Sequence, residues 1–204
     1  MDDKLQFHKH VNNLCIKASR QVNALIRIRR YLDVKDRYRI YESFIVSNFN
    51  FCPLVWHLCG MAATKKLDKI QKRALRFVLN DFISDYDTLL SKANTNTLFI
   101  SRLKYIAIEV YKCVNNINVP SMNDMFEVKP NVFGLRRQKN VVQPKFKTIS
   151  YGKCSFKYIG SHIWNLLPDY FQDAVNIKSF KMLMKSWSGP SCSCTICCVR
   201  LEGL

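Results

Sequence analysis

The sequence predicts a mainly α fold: a helical bundle over residues 1–118, a small basic α+β unit over 119–190 and a Cys-rich tail over 191–204. Three observations carry that expectation. Apolar residues recur at three- and four-residue intervals through the first half, one buried stripe per helix. After Asn118 the texture changes, and Pro120, Pro130, Gly134, Pro144, Gly152, Gly160 and Pro168 break the chain into short segments. Cysteines crowd the end of the chain. Apolar residues at 48% and charged residues at 23% are ordinary for a folded protein, so wholesale disorder is not expected.

Taken in order, Val11, Leu14, Cys15, Ala18, Val22, Leu25 and Ile26 form one face of a first helix. Asp33 is placed to cap a second helix from Val34 to about Phe49, with Tyr38, Tyr41, Phe44 and Ile45 inward. Pro53 then ends or kinks it, and Gly60 marks a turn. A third helix starts near Ala63 or Thr64, with Leu67, Ile70, Gln71, Ala74, Phe77 and Val78 as its inner stripe. A short helix is expected over Tyr86–Ala93. A longer one is expected over Ile100–Asn116, with Leu103, Ile106, Ala107, Val110, Cys113, Val114 and Ile117 inward. Beyond residue 118, Val141-Val142, Phe146-Lys147-Thr148-Ile149 and Phe156-Lys157-Tyr158-Ile159 have strand-like composition, and helices are expected over Ser161–Leu166 and Ile177–Trp187.

Charge narrows the function classes. Thirty-two Lys and Arg against 15 Asp and Glu give a net charge of +17, which favours a polyanionic partner. Residues 1–118 carry 20 basic and 10 acidic side chains, and residues 119–204 carry 12 and 5. Between Val128 and Pro168 there is no carboxylate, while Arg136, Arg137, Lys139, Lys145, Lys147, Lys153 and Lys157 all lie inside. A stretch of one sign repels itself until a counter-charge arrives. Six glycines in the whole chain, and none in a phosphate-cradling run, speak against a nucleotide-loop fold. No Ser/His/Asp order and no oriented Cys/His pair stands out, so no nucleophilic site is expected.

Nine cysteines, an odd number, follow an N-terminus without an apolar signal core. An intracellular chain, nuclear or cytoplasmic and not secreted, with free or metal-bound thiols is expected. Ser43 to Thr64 is uncharged and about long enough to cross a bilayer. Asn48, Asn50, Pro53, His57 and Gly60 interrupt it, so a buried helix–turn core is expected instead of a membrane span.

One pattern covers nearly the whole chain. Lys17-Ala18-Ser19-Arg20-Gln21-Val22-Asn23-Ala24-Leu25 leads into Ile40-Tyr41-Glu42-Ser43-Phe44-Ile45-Val46-Ser47-Asn48-Phe49-Asn50-Phe51-Cys52-Pro53-Leu54-Val55-Trp56. Leu67-Asp68-Lys69-Ile70-Gln71-Lys72-Arg73-Ala74-Leu75-Arg76 and, far downstream, Leu166-Leu167-Pro168 follow. In this order and spacing the segments resemble the C-terminal third of the reverse transcriptase of LINE-type (non-LTR, jockey-like) retrotransposons. The resemblance implies a thumb-like bundle that grips template and primer. That family's catalytic hairpin is an aromatic–Ala–Asp–Asp run whose carboxylates hold magnesium. Here the only adjacent Asp pair is Asp2-Asp3, in a context resembling the later segment just past the primer grip. A non-catalytic fragment of an RNA-directed DNA polymerase is therefore expected.

Basic rows supply the candidate contacts. Lys65, Lys69, Lys72, Arg73 and Arg76 recur at three- and four-residue spacing, and Arg20, Arg27 and Arg30 form a second row. Arg136, Arg137, Lys145 and Lys147 represent the acid-free stretch. Alone, each row reads as the solvent face of a surface helix; with the resemblance, they read as backbone contacts to RNA, DNA or an RNA–DNA hybrid. The rest of a reverse transcriptase is a further expected partner. A protein-interaction module that docks on a polymerase palm or an acidic protein is the alternative. In the tail, Cys192, Cys194 and Cys197 after Trp187-Ser188-Gly189 resemble the family's C-terminal end. Three thiolates can reach one zinc, with a fourth ligand such as His162 or a residue of a second chain, or they can remain free.

Overall fold

The 21 residues of α1 (His8–Ile28) bury Val11, Cys15, Ala18, Val22 and Leu25, the stripe that the sequence spacing predicts. The computed structural model describes residues 7–57, 61–129, 139–148 and 152–190. Among them the fold is mainly helical, with one isolated antiparallel bridge between Val128 and Val141. They divide into two units, one up to Arg102 and one from Leu103 onward.

In the first unit, Asp33 caps α2 (Val34–Ile40) by accepting a hydrogen bond from the Asp36 N–H at 2.7 Å. The helix runs on through a π-helical turn (Tyr41–Val46) into α3 (Ser47–Phe49). The wider turn shifts the register. Tyr41 and Ile45 stay buried, but Phe44, expected inward, is 60% exposed. The helix stops before Pro53. Cys52 adopts the left-handed region at φ 43°, and Pro53 opens α4 (Pro53–Trp56) at its first position, where a missing N–H costs nothing. α5 (Met61–Leu79) starts a few residues earlier than the sequence spacing places it. It buries Leu67, Gln71, Ala74, Leu75 and Val78, while Ile70 and Phe77 are half-buried. α6 (Tyr86–Lys92) is capped by Asp85. α7 (Leu98–Val114) gives its first turn to this unit and the remainder to the second.

Two features set the packing here. Gln71 is buried on α5, where its amide donates to the Asn96 carbonyl at 2.9 Å and to the Tyr41 hydroxyl at 3.3 Å. Its amide oxygen accepts from the Tyr86 hydroxyl at 2.5 Å and the Leu98 N–H at 3.0 Å. The second feature is an aromatic cage. His57 is buried and stacks on Phe99 with centroids 5.1 Å apart, and the buried Arg102 guanidinium lies 4.9 Å from the Trp56 ring centroid and 5.9 Å from that of Phe99. Neither His57 ring nitrogen has a hydrogen-bond partner among the described residues.

The second unit is built on α7 and on α8 (Pro120–Asn123), α9 (Phe156–Leu166), α10 (Asp169–Gln172) and α11 (Ile177–Ser186). Phe180 stacks on Tyr111 at 4.4 Å and meets Trp164 at 6.1 Å and Phe171 at 6.4 Å, an aromatic centre for this core. α9 lies flush on its neighbours. A Cβ at Gly160 would come within 2.8 Å of Val110 and 2.9 Å of Phe126, so only glycine permits this approach.

α9 also corrects an expectation. Phe156–Ile159, strand-like in composition, is the first turn of this helix. Ser155 caps it by accepting from the Tyr158 N–H at 3.3 Å, and Ile159, Ile163 and Trp164 then share the buried face, so capping and a 3.6-residue period override local β propensity. Within the other two strand-like segments, residues 141–142 show one bridged residue and 146–148 no ladder; Ile149 lies outside the described residues. At the far end of α7, Val114 is half-buried and Ile117, expected inward, is 54% exposed because the helix has ended. No described helix is long and apolar enough to cross a membrane.

Two outcomes follow from these cores. Gln71→Leu leaves the Leu98 N–H and the Tyr86 hydroxyl without their acceptor and is expected to lower stability by about 3 kcal/mol. Urea unfolding checks this, and a loss under about 1 kcal/mol contradicts the hub. Burial, reinforced by the Arg102 charge, holds the His57 pKa down at about 3 against an ordinary 6.5. The unfolded chain thus gains a proton below pH 6.5 that the folded chain refuses until about pH 3. The stability contribution of neutral His57 is complete above pH 6.5 and falls toward pH 3, by at most about 1.4 kcal/mol per pH unit. His57→Phe is expected to flatten the decline between pH 6.5 and 5; parallel curves for the two proteins contradict it.

Candidate nucleic-acid interface

α1 and α5 run parallel along their shared seam. Lys66 Nζ donates to Asn12 Oδ1 at 3.1 Å, Arg73 donates to Asn23 Oδ1 at 2.6 Å, and Arg29 lies 5.0 Å from the Phe77 ring centroid, so contacts advance together along both helices. Beneath the seam the apolar stripes of the two helices meet in one core. The polar flanks therefore meet above it.

Arg73 joins the two basic rows. Arg20 and Arg27 are three residues before and four residues after Asn23, so they share its face of α1. The Arg73 guanidinium on Asn23 thus sits between them. Arg20, Arg27, Arg30, Lys65, Lys69 and Arg73 are all exposed, and Lys72 and Arg76 are half-buried. Across its 21 residues α1 has no carboxylate. The row of Lys65, Lys69, Lys72 and Arg76 lies further round α5, away from the stripe that faces α1, and Lys69 is its nearest member to the seam.

Arg29 behaves differently from its neighbours. Its guanidinium packs over Phe77 at 5.0 Å and over Phe82 at 5.4 Å, and those rings meet edge to face at 5.1 Å. Arg37 donates to the Phe77 carbonyl at 3.2 Å. Both cations hold the ends of helices together. In the sequence they are indistinguishable from the exposed arginines, because the aromatic partners stand tens of residues away.

The second unit carries its own positive surface. Lys145 and Lys147 are exposed on the extended segment 139–148. Asn165 clamps that segment, accepting from the Val141 N–H and donating to the Val141 carbonyl, both at 2.9 Å. Trp164 Nε1 donates to the Lys139 carbonyl at 2.7 Å. Against it stand rings that spacing alone did not single out: Phe146 meets Tyr158 edge to face at 4.9 Å, and Tyr158 lies parallel to His162 at 6.4 Å. Once Phe156–Leu166 is a helix, the i,i+4 spacing of Tyr158 and His162 puts them on one face. His162 is half-buried, and Gln143 Nε2 lies 3.4 Å from its Nδ1. Burial, then the Lys153 charge, lowers the His162 pKa. Arg136, Arg137, Cys192, Cys194 and Cys197 lie outside the described residues.

Comparison with protein-family models, with curated proteins and with solved structures returns no match. The arrangement sets exposed cations along one helix pair and a separate basic, ring-bearing surface in the second unit. Arg29→Gln separates the two kinds of arginine. It is expected to lower stability by about 0.5–1 kcal/mol through the lost ring contacts while leaving affinity for a hybrid duplex unchanged. A change in affinity without a change in stability contradicts that division, and thermal unfolding beside duplex titration distinguishes them.

Proposed function

We propose that this chain binds nucleic acid through phosphate contacts, as the thumb-like C-terminal part of a LINE-type reverse transcriptase, holding template and primer and supplying no chemistry of its own. The observation that carries the reading is the Arg73–Asn23 bond at 2.6 Å, which brings an α5 cation between Arg20 and Arg27 of α1. A double row of cations on a rigid helix pair suits a polyanion whose charges repeat, and it sets position more than sequence. RNA, DNA and their hybrid share that chemistry, and an A-like hybrid would be met by its shape. The tail cysteines Cys192, Cys194 and Cys197 enter the proposal as either a zinc-binding segment or free thiols, and the setting is intracellular.

A second reading has one observation in its favour. Phe51, just before α4, and Val55 within it are 66% and 53% exposed, an apolar surface suited to a protein partner such as a polymerase palm. Salt dependence separates the two. For the Arg20→Gln, Arg27→Gln, Lys69→Gln, Arg73→Gln quadruple variant, affinity for an RNA–DNA hybrid is expected to fall at least about tenfold at low salt. The slope of log affinity against log salt should become shallower by about 3.6, at roughly 0.9 per phosphate contact. An unchanged slope in a variant that still folds removes phosphate binding from this face and leaves protein docking as the reading.

A further inference from the structure

We infer that the second unit carries a separate platform for single-stranded nucleic acid, on which unpaired bases stack against Phe146, Tyr158 and His162 while Lys145, Lys147 and Lys157 meet the backbone. This deepens the nucleic-acid reading and rests on it for the class of ligand, but it uses none of the α1–α5 cations.

Three observations support it. The first is geometry: Phe146, Tyr158 and His162 form a line of three neighbouring rings, Phe146 meeting Tyr158 edge to face at 4.9 Å and Tyr158 facing His162 at 6.4 Å. The Tyr158 and His162 planes lie within 5° of each other, as i,i+4 neighbours on the outer side of α9. Phe146 is 42% exposed, and both other rings are half-buried, so the line is rooted in the fold but open to solvent.

The second observation is rigidity. The segment that carries Phe146 is tied down before it reaches the ring. Lys129 N–H donates to the Asn140 carbonyl at 2.7 Å, Val142 N–H donates to the Glu127 carbonyl at 2.8 Å, and Asn165 holds both backbone groups of Val141. On the other side of the ring, the Gly152 N–H donates to the Thr148 carbonyl at 3.1 Å, and a Cβ at Gly152 would stand 2.7 Å from that of Phe146. An ordered extended segment presents its side chains without a large ordering cost on binding.

The third observation is charge. Lys145, Lys147 and Lys157 are exposed around the rings, Lys153 is half-buried, and no carboxylate occurs anywhere from Val128 to Pro168. Aromatic rings beside clustered cations are what sequence-tolerant binding of single strands requires, because every unpaired base has a π face and every nucleotide a phosphate. A duplex keeps its bases stacked on each other and offers these rings nothing.

The test compares ligands of equal charge. Fluorescence anisotropy of the full chain is measured with a roughly 20-nucleotide oligothymidylate and with an abasic strand of the same length. The oligothymidylate is expected to bind at least about tenfold more tightly. Phe146→Leu with Tyr158→Leu, which keeps apolar volume and removes the rings, is expected to bring it to the abasic affinity while hybrid-duplex binding stays as in the parent. The exposed Phe146→Leu change alone should give a partial loss, and it keeps the test intact if the double variant does not fold. Equal affinity of the parent for the two strands overturns the platform, as does a double variant that folds and still prefers the base-bearing strand. If hybrid binding is absent yet the base-bearing strand is preferred and ring-dependent, the platform stands and the α1–α5 grip fails.

Discussion

A buried amide governs how the first unit assembles. Gln71 is buried on the inner side of α5, and an unpaired amide there is costly. Four partners from three other parts of the chain satisfy it: Tyr41 on the π-helical turn, Tyr86 on α6, and Asn96 and the Leu98 N–H at the entry to α7. Apolar packing alone tolerates sliding and rotation of helices. A fourfold hydrogen-bonded amide does not, because a shift of about 1 Å breaks several bonds together. The rotation of α5 about its axis is thereby set, and with it the direction in which Arg73, Lys69 and Lys66 leave the helix.

That rotation makes the basic seam. α1 is held on its other side by Asn48, whose amide donates to Gln21 at 2.6 Å. Between these two polar anchors the apolar stripes of α1 and α5 close on each other, and Lys66 and Arg73 reach across to Asn12 and Asn23. Neutral acceptors suit this place. A carboxylate at position 23 would neutralise Arg73, whereas an asparagine orients the guanidinium and leaves its charge for a ligand.

The second unit solves a different problem. An acid-free, proline-bearing segment has little reason to fold back on a helix, since like charges repel. Here side chains take the place of a partner strand. Asn165 presents a carbonyl and an amide at the spacing of a peptide unit and pairs with Val141 as a strand would, and Trp164 adds a bond to the Lys139 carbonyl. One bridge to Val128 completes the anchoring. Two side chains of α9 thus substitute for a sheet.

Helix existence and inner faces were legible from spacing, because burial on one side imposes a 3.6-residue period on the residues themselves; the stripe of α1 and most of that of α5 show this. Several boundaries were legible from chemistry, as with Asp33 and Asp85, whose side chains accept from N–H groups three residues on. Helix ends were less so. Asn80, Asn94 and Asn116, all with positive φ, close α5, α6 and α7, a stop signal weaker than glycine and easily passed over. Phe44 and Phe156–Ile159 misled for the same reason: a π turn and a capped helix depend on bonds to neighbours, which composition does not record. The basic residues were visible by count and spacing, but their roles were not. Spacing fixes the angle of a side chain around its own helix and says nothing about which helix lies beside it. Packing alone decided that Arg73 lies between Arg20 and Arg27, that Arg29 is spent on two phenylalanine rings, and that Phe146 meets Tyr158, since each pairing joins residues far apart in the chain.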